Sequence, residues 1–157
     1  MLSALREVNP RISLAHLAYA NSLAAPTQVK PTEGIFLEFA PIQRSWETPL
    51  SRREIEGRGK NHGETLDCLD ANLDVFPRES AQILEYWLDV SLHSQWTRPA
   101  RKLPWKKEVF LADLETYASR GIRHVTSFGV YLDRGYLERF GSFSFLKEYG
   151  EGLISVS

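Results

Sequence analysis

Four short runs of the chain are apolar at nearly every position and are bounded by turn residues. They span residues 12–20, 34–40, 81–88 and 124–131. Strands that are covered by helices on one face and by further core on the other have this composition, because neither face meets water. A two-sheet sandwich would show a cleaner alternation of polar and apolar positions. The pattern therefore predicts four buried strands.

Apolar residues recur at helical spacing between these runs. One helix is predicted over residues 64–73, which Pro77 ends, and another over residues 107–118, which Gly121 follows as a stop signal. Shorter helices are predicted at residues 2–8, 135–140 and 145–150. The first two predicted strands are joined by a proline-containing link with no clear helix.

The order of the predicted elements is strand, strand, helix, strand, helix, strand, helix. This order indicates parallel strands with right-handed crossovers, and it fits either a small open doubly wound sheet or half of a (β/α)8 TIM barrel. Carboxylates and aromatic residues gather where several strands end, and no glycine-rich phosphate loop is present. Because barrel enzymes concentrate their chemistry at that end, we predict an α/β half-barrel of about four parallel strands with flanking helices.

The composition is that of an ordinary globular domain. Of the 157 residues, 43% are hydrophobic and 25% are charged, and the formal net charge is -1. The length fits one domain over residues 1–157, and the near-neutral charge argues against a nucleic-acid partner. No segment predicts a membrane span, the N-terminus lacks the pattern of a signal peptide, and the lone Cys68 excludes an internal disulfide. The histidines lack metal-site spacing, so neither a metal nor a cofactor is expected.

Five short motifs resemble those of a bacterial family of unknown function, whose larger proteins are similar to glycoside hydrolases of the β-hexosaminidase and α-glucuronidase kind. The motifs lie at residues 29–31, 35–42, 84–89, 103–105 and 121–128. The resemblance covers most of the chain and implies that it corresponds to the later four strands of a (β/α)8 barrel. It also implies that the acidic pair found after the fourth strand of the related hexosaminidases has no counterpart here. We therefore expect little or no glycosidase activity from this chain alone.

Glu38 and Glu85 are the candidate catalytic residues, because each lies in an apolar strand where an unpaired charge is costly to bury. If the two strands are neighbours in a barrel, both carboxyl groups can point into one pocket. A pair of carboxylates at such a distance carries out the acid and base steps of most glycosidases. The alternative is that each glutamate is paired with an arginine or with backbone donors inside the fold.

Rings and polar groups near the predicted strand ends supply candidate contacts to a sugar. Flat aromatic faces bind the C–H faces of sugars, while carboxylates and amides bind hydroxyl groups. The candidate substrate-binding residues of this kind are Tyr19, Tyr86, Trp87, Asp89, His93 and Tyr131. Packing is the alternative for most of the rings, and it is the interpretation we favour for Trp105. Capping of the following loop is the alternative for Asp89.

The polar segment from residue 43 to residue 62 contains several arginines, among them Arg44 and Arg58. It fits a lid over the pocket, with Arg44 pairing in a bidentate manner with a uronic acid or a sulfate. A solvated loop is the alternative that we favour. Trp46, the one large apolar residue of the segment, is expected to hold the loop down.

Two functions stay open from the sequence. In the first, the chain is half of a glycosidase-like barrel with a carbohydrate ligand, and it needs a missing N-terminal half for activity. In the second, it is a non-catalytic module that binds carbohydrate or oligomerises, because the first and fourth strands of a half-barrel leave open edges. Two copies could then close an eight-stranded ring as a homodimer.

Overall fold

The computed structural model describes residues 1–55 and 61–155. The strands are β1 (Leu14–Tyr19), β2 (Ile35–Ala40), β3 (Gln82–Glu85) and β4 (His124–Ser127). The helices are α1 (Leu2–Val8), α2 (His62–Leu73), α3 (Val90–His93), α4 (Lys107–Ala118), α5 (Arg134–Phe140) and α6 (Phe145–Ser155). Single turns of 3-10 helix span Ala20–Ser22 and Arg78–Ser80. Arg58 of the predicted lid lies outside the described residues.

The four strands form one sheet in the order β1-β2-β3-β4, and each neighbouring pair runs parallel. This confirms the predicted α/β fold with a four-stranded parallel sheet and flanking helices, and it makes β1 and β4 the outer strands. The link between β1 and β2 contains only a 3-10 turn in place of an α-helix, as its composition predicted. Closure into a barrel stays a prediction.

All four strands are shorter than their apolar runs predicted, and β3 and β4 end three and four residues early. After β3 the chain turns, and the Asp89 N–H donates to the Tyr86 carbonyl oxygen at 3.0 Å. After β4 the chain departs from the sheet, and Tyr131 takes a left-handed conformation with φ 63°. The apolar residues beyond each strand therefore form loops along the carboxyl edge of the sheet.

Alternation along the strands separates the two faces of the sheet. Ala18, Phe39, Ile83 and Val125 lie side by side in the register, and all four are buried. Helices α2 and α4 pack on this row with a shared set of apolar side chains: Leu66, Leu69, Leu73, Phe110, Leu114 and Tyr117. We call this side the helix face.

The other side of the sheet carries Leu17, Glu38, Gln82 and His124 in one register row. Leu17 is 45% exposed, and Tyr19, two residues along the same strand, is 37% exposed. We call this side the open face. Parallel sheets usually have both faces covered, because their strands are apolar on both sides. The open face is therefore the part of the fold whose exposure calls for a functional explanation.

Helices α4 and α6 pack closely at the far side of the helix face. A Cβ atom at Gly152 would lie 2.3 Å from Cε1 of Phe110, so only glycine fits at this contact. Trp105 lies beside Phe110 with ring centroids 5.2 Å apart, and its indole N–H donates to Oε2 of Glu148 at 2.7 Å. The prediction that Trp105 is a packing anchor is confirmed.

Candidate functional site

Glu85, the last residue of β3, is fully buried in a network of polar side chains. Arg44 Nη1 lies 2.8 Å from Oε1 of Glu85 and 2.8 Å from Oδ2 of Asp113. The Tyr117 hydroxyl donates to the same Glu85 oxygen, and the Trp46 indole N–H donates to Oε2 at 3.3 Å. The network thus joins the loop after β2 to the end of β3 and to helix α4.

The register of the strands places Glu38 and Glu85 on opposite faces of the sheet. Glu38 pairs with Leu17 and Gln82 in the open-face row. Glu85 lies three residues beyond Gln82, and an odd step along a strand reverses the side to which a side chain points. The expectation that both carboxylates share one pocket is therefore wrong. The arrangement found for Glu85 is the alternative of a glutamate paired with an arginine inside the fold.

Arg44 and Trp87 are also placed inside the fold. The Arg44 side chain is fully buried, and besides its two carboxylates it donates to the carbonyl oxygens of Ser45 and Thr48 at 3.1 and 3.3 Å. The Trp87 indole N–H donates to Asp113 at 2.9 Å, and its ring is 5% exposed. Neither side chain lines the cavity at the carboxyl edge of the sheet, and both are bonded inside the fold, so the expectation that they face a ligand is corrected.

Burial and charge act against each other within this network. Burial raises the pKa of Asp113, an effect that Arg44 opposes and Glu85 increases. Burial alone lowers the pKa of Arg44, but Glu85 and Asp113 together raise it above its ordinary value. Burial, with Glu85 nearby, raises the pKa of Tyr117, so its phenol stays protonated and can donate. One buried arginine therefore serves two carboxylates, and its main task is structural.

The loop after β2 is bonded to the rest of the fold at several points along residues 43–55, so it is not a freely solvated loop. The Ser45 N–H donates to Nε2 of His62 at 3.2 Å, and the Leu50 N–H donates to Oδ1 of Asp113 at 2.7 Å. Burial lowers the pKa of His62, and the nearby Arg44 lowers it further, so the ring is neutral at neutral pH. The bond from Trp46 to Glu85 confirms that this ring holds the loop down.

A cavity of about 360 Å³ lies on the open face at the carboxyl edge of the sheet. Tyr86 and Phe128 stack beside it with ring centroids 5.3 Å apart and planes 6° apart. The residues that line the cavity are Leu17, Tyr19, Ile42, Leu84, Tyr86, Asp89, Trp96, Phe128 and Val130. The structure thus brings together three predicted contacts, namely Tyr19, Tyr86 and Asp89. We call this cavity the open-face pocket.

Asp89 is the carboxylate of the open-face pocket and is 3% exposed. Its Oδ1 accepts from the Ser91 N–H at 2.9 Å and from the Ser91 hydroxyl at 2.5 Å, which caps α3 as the sequence alternative proposed. No described residue donates to Oδ2. One oxygen therefore holds the helix, and the other can accept a hydrogen bond from a ligand.

Glu38 lies on the open face of the sheet, but it is not among the residues that line the pocket. Burial raises the pKa of Tyr86, and Tyr19, Glu85, Asp89 and Glu38 each raise it further. The Tyr86 phenol therefore stays protonated and can donate a hydrogen bond. Asp89 is the carboxylate that lines the open-face pocket, in place of the predicted pair Glu38 and Glu85.

The remaining predicted contacts lie at the rim of the pocket. His93 meets Trp46 edge-on with ring centroids 6.2 Å apart, and burial lowers the pKa of His93 while Glu47 and Asp89 oppose that shift. The Tyr131 hydroxyl donates to the Trp96 carbonyl oxygen at 3.5 Å. These two residues support the pocket wall, and neither lines the cavity itself.

Backbone strain collects at this edge of the sheet. The four described non-glycine residues with positive φ are Ala20, Gln95, Trp96 and Tyr131. Ala20 directly follows β1, Trp96 lines the pocket, and the Tyr131 hydroxyl bonds to Trp96. A left-handed conformation is costly for such side chains and tends to mark functional sites. The strain therefore points to the same edge as the pocket does.

Sequence reasoning missed part of the pocket lining. Ile42, Phe128 and Val130 follow directly after β2 or β4, and their place after a strand end was the signal that could have found them. Trp96 is set by the left-handed turn after α3, which has no clear sequence signature. Its 62% exposure distinguishes it from the buried rings.

Within residues 1–55 and 61–155, no group of three or more metal-ligating side chains comes together. None of the helices in that part of the chain is long and apolar enough to cross a bilayer.

Comparisons of the chain with protein-family models, with curated proteins and with solved structures find no match. The resemblance to glycosidase-like barrels therefore stays a prediction. The geometry of the open-face pocket is the basis for a functional assignment.

Proposed function

We propose that this chain binds a carbohydrate in the open-face pocket, as half of a glycosidase-like (β/α)8 barrel. The observation that carries the proposal is a pocket with aromatic walls and one buried carboxylate at the carboxyl edge of four parallel strands. Ligands of parallel α/β folds bind at that edge, because the loops that follow the strands meet there. The consecutive strand order and the covered helix face support the half-barrel.

The chemistry of the pocket suits a sugar ring. Trp96 is 62% exposed, so its indole can pack against the apolar face of a pyranose. Tyr19 and Tyr86 offer phenol groups, and Asp89 offers an oxygen to hydroxyl groups. Apolar walls with few polar groups are typical of small-molecule sites. The pocket therefore supports recognition of a ring with one apolar face and several hydroxyls.

The proposal assigns binding to this chain and leaves hydrolysis to a complete barrel. Glu85 is occupied by Arg44 and Tyr117 on the helix face, so it is not a free acid for catalysis. Asp89 is the carboxylate that lines the pocket, and it also caps α3. We expect sugars to bind without turnover.

Titration calorimetry with glucose and with a β-linked disaccharide tests this proposal. Trp96→Ala removes the exposed ring and should weaken binding about three- to tenfold, the worth of an aromatic contact. Ile154→Ala is the matched control, because Ile154 is 77% exposed on α6, outside the pocket lining. Its affinity should equal that of the wild type. Equal affinities for the wild type and Trp96→Ala, or no saturable heat with either sugar, would refute the proposal.

A second candidate function is self-association through the open face. Leu17, Tyr19 and Phe128 are between 37% and 45% exposed on or beside this face, and both outer strands are at sheet edges. A second copy related by a two-fold axis would pair each β4 with the partner's β1 and cover these side chains. The pocket would then lie at the mouth of the closed barrel, so the two functions are compatible.

A further inference from the structure

The lining of the open-face pocket carries charge of one sign. Among the described residues that line it, Asp89 is the only carboxylate, and none is lysine or arginine. Elsewhere on the same face, Glu38 and His124 share one register row. Arg44, the cation expected at the ligand, is held in the buried network by Glu85 and Asp113. The pocket therefore presents negative charge with no cation in its lining.

Two groups beside the pocket could in principle carry positive charge, namely Arg98 and His93. Arg98 lies 2.7 Å from Oδ2 of Asp133 and sits over the Tyr131 ring at 4.1 Å from its centroid. His93 is neutral at neutral pH, because burial lowers the pKa of its ring. Neither group is placed to neutralise Asp89 from the pocket side.

The aromatic lining adds a second preference for positive charge. Tyr19, Tyr86, Trp96 and Phe128 come from four separate segments and line one cavity. Aromatic faces attract ammonium groups through the ring quadrupole, most strongly where the contact is desolvated. A buried carboxylate beside such rings completes the pattern that proteins use for organic cations.

We propose that the sugar bound in the open-face pocket carries an ammonium group, with Asp89 as its counter-ion. This inference rests on the proposed carbohydrate binding and names the class of sugar. A free amine is required, because an acetylated amine is neutral and gains nothing from Asp89. An anionic sugar meets Asp89 and is repelled, which replaces the earlier expectation of a uronic acid at Arg44.

A panel of small ligands tests the inference by NMR titration of the wild-type chain. The probes are glucosamine, glucose, N-acetylglucosamine, glucuronate and choline, at about pH 7, where a simple α-amine with a pKa of roughly 7.7–8.0 is mostly protonated. Glucosamine should bind about tenfold more tightly than glucose, the equivalent of about 1.4 kcal/mol. N-acetylglucosamine should bind like glucose, and glucuronate more weakly than glucose.

Asp89→Asn separates the charge from the shape of the pocket. The amide keeps an oxygen that can accept from Ser91, so the cap of α3 is retained while the negative charge is lost. The tenfold preference for glucosamine over glucose should fall to about twofold or less in this variant. Glu115→Gln makes the same chemical change at an exposed site on α4 and should leave the preference unchanged.

The outcomes separate this inference from the proposed function. Equal affinities of the wild type for glucosamine and glucose would overturn the inference and leave carbohydrate binding intact. Absence of binding by every sugar would overturn both. Choline bound as tightly as glucosamine would overturn the role of the sugar ring and assign the pocket to ammonium groups alone. A preference that survives Asp89→Asn would overturn Asp89 as the counter-ion.

Discussion

At the scale of single residues, the decisive feature is which polar side chains are bonded to each other inside the fold and so cannot contact a ligand. The sequence offered Glu85 as a catalytic candidate and Arg44 as a ligand contact, yet both side chains are fully buried and bonded to each other. A buried ion pair costs desolvation and is weak support for stability, but removing one partner leaves an uncompensated charge. Because removing one partner is costly, the free energy of unfolding of such a variant tests the network.

Arg44→Met should lower the free energy of unfolding by about 3–5 kcal/mol, because Glu85 and Asp113 are left without their cation. Chemical denaturation measures this loss. Arg78→Met is the matched control, since Arg78 pairs with Asp74 on the surface with side chains about half or more exposed. That change should cost about 0–1 kcal/mol. A loss for Arg44→Met as small as that of the control would contradict the structural role of the network.

Buried His62 should make the chain less stable in mild acid. Its pKa is lowered in the fold by burial, so the unfolded chain binds a proton more readily than the folded chain does. The free energy of unfolding should therefore fall as pH drops below about 6.5, the ordinary pKa of histidine. Denaturation of the wild type and of His62→Gln between about pH 7.5 and pH 5.5 measures the effect.

His62→Gln should show a weaker pH dependence than the wild type, although the lost bond to Ser45 lowers its stability at every pH. His124→Gln is the control, because His124 is exposed on the open face. It should keep the pH dependence of the wild type. If the free energy of unfolding of His62→Gln depended on pH as strongly as that of the wild type, His62 would not be the source of the pH dependence.

At the scale of elements, the apolar runs determine where the strands lie but leave the direction of each side chain open. All four strands and their parallel order follow from the sequence, because apolar runs that alternate with helical patterns have few other solutions. The relative register does not follow. A shift of one residue exchanges the two faces, and for this reason Glu38 and Glu85 were expected together but lie apart.

Residues close to the ends of strands were the most predictable part of the pocket. Tyr19 and Asp89 were expected there because of their position relative to a strand end, and both line the cavity. The partnership of Arg44 with Asp113 could not be predicted, since it joins a loop to a helix far along the chain. The place of Trp96 depends on a left-handed turn that local sequence does not specify.

The contact between α4 and α6 gives a test of element packing. Gly152→Ala should destabilise the fold by about 1–3 kcal/mol, because the new methyl group would lie 2.3 Å from Phe110. Gly150→Ala lies on the same helix with open space around it and should stabilise by about 0.5–1 kcal/mol through helix propensity. Thermal unfolding of both variants checks the pair. Equal effects of the two changes would contradict the close packing.

At the scale of the whole molecule, the main question is what covers the open face. A parallel sheet with exposed side chains on one side is unusual, and a second copy would cover it. Sedimentation equilibrium should therefore give twice the 17.9 kDa mass of one chain. Leu17→Lys places a charge on the open face and should shift the mass to that of the monomer, whereas Ile154→Lys on α6 should not. A well-folded wild-type monomer would count against self-association.

The central claim is that the open-face pocket binds a sugar, and amide chemical shifts measured during a glucosamine titration test it most directly. The account predicts saturable shifts at Tyr19, Ile42, Asp89, Trp96 and Phe128, which surround the cavity, with little change along α6. Shifts that centre on α6 or fail to saturate would contradict it.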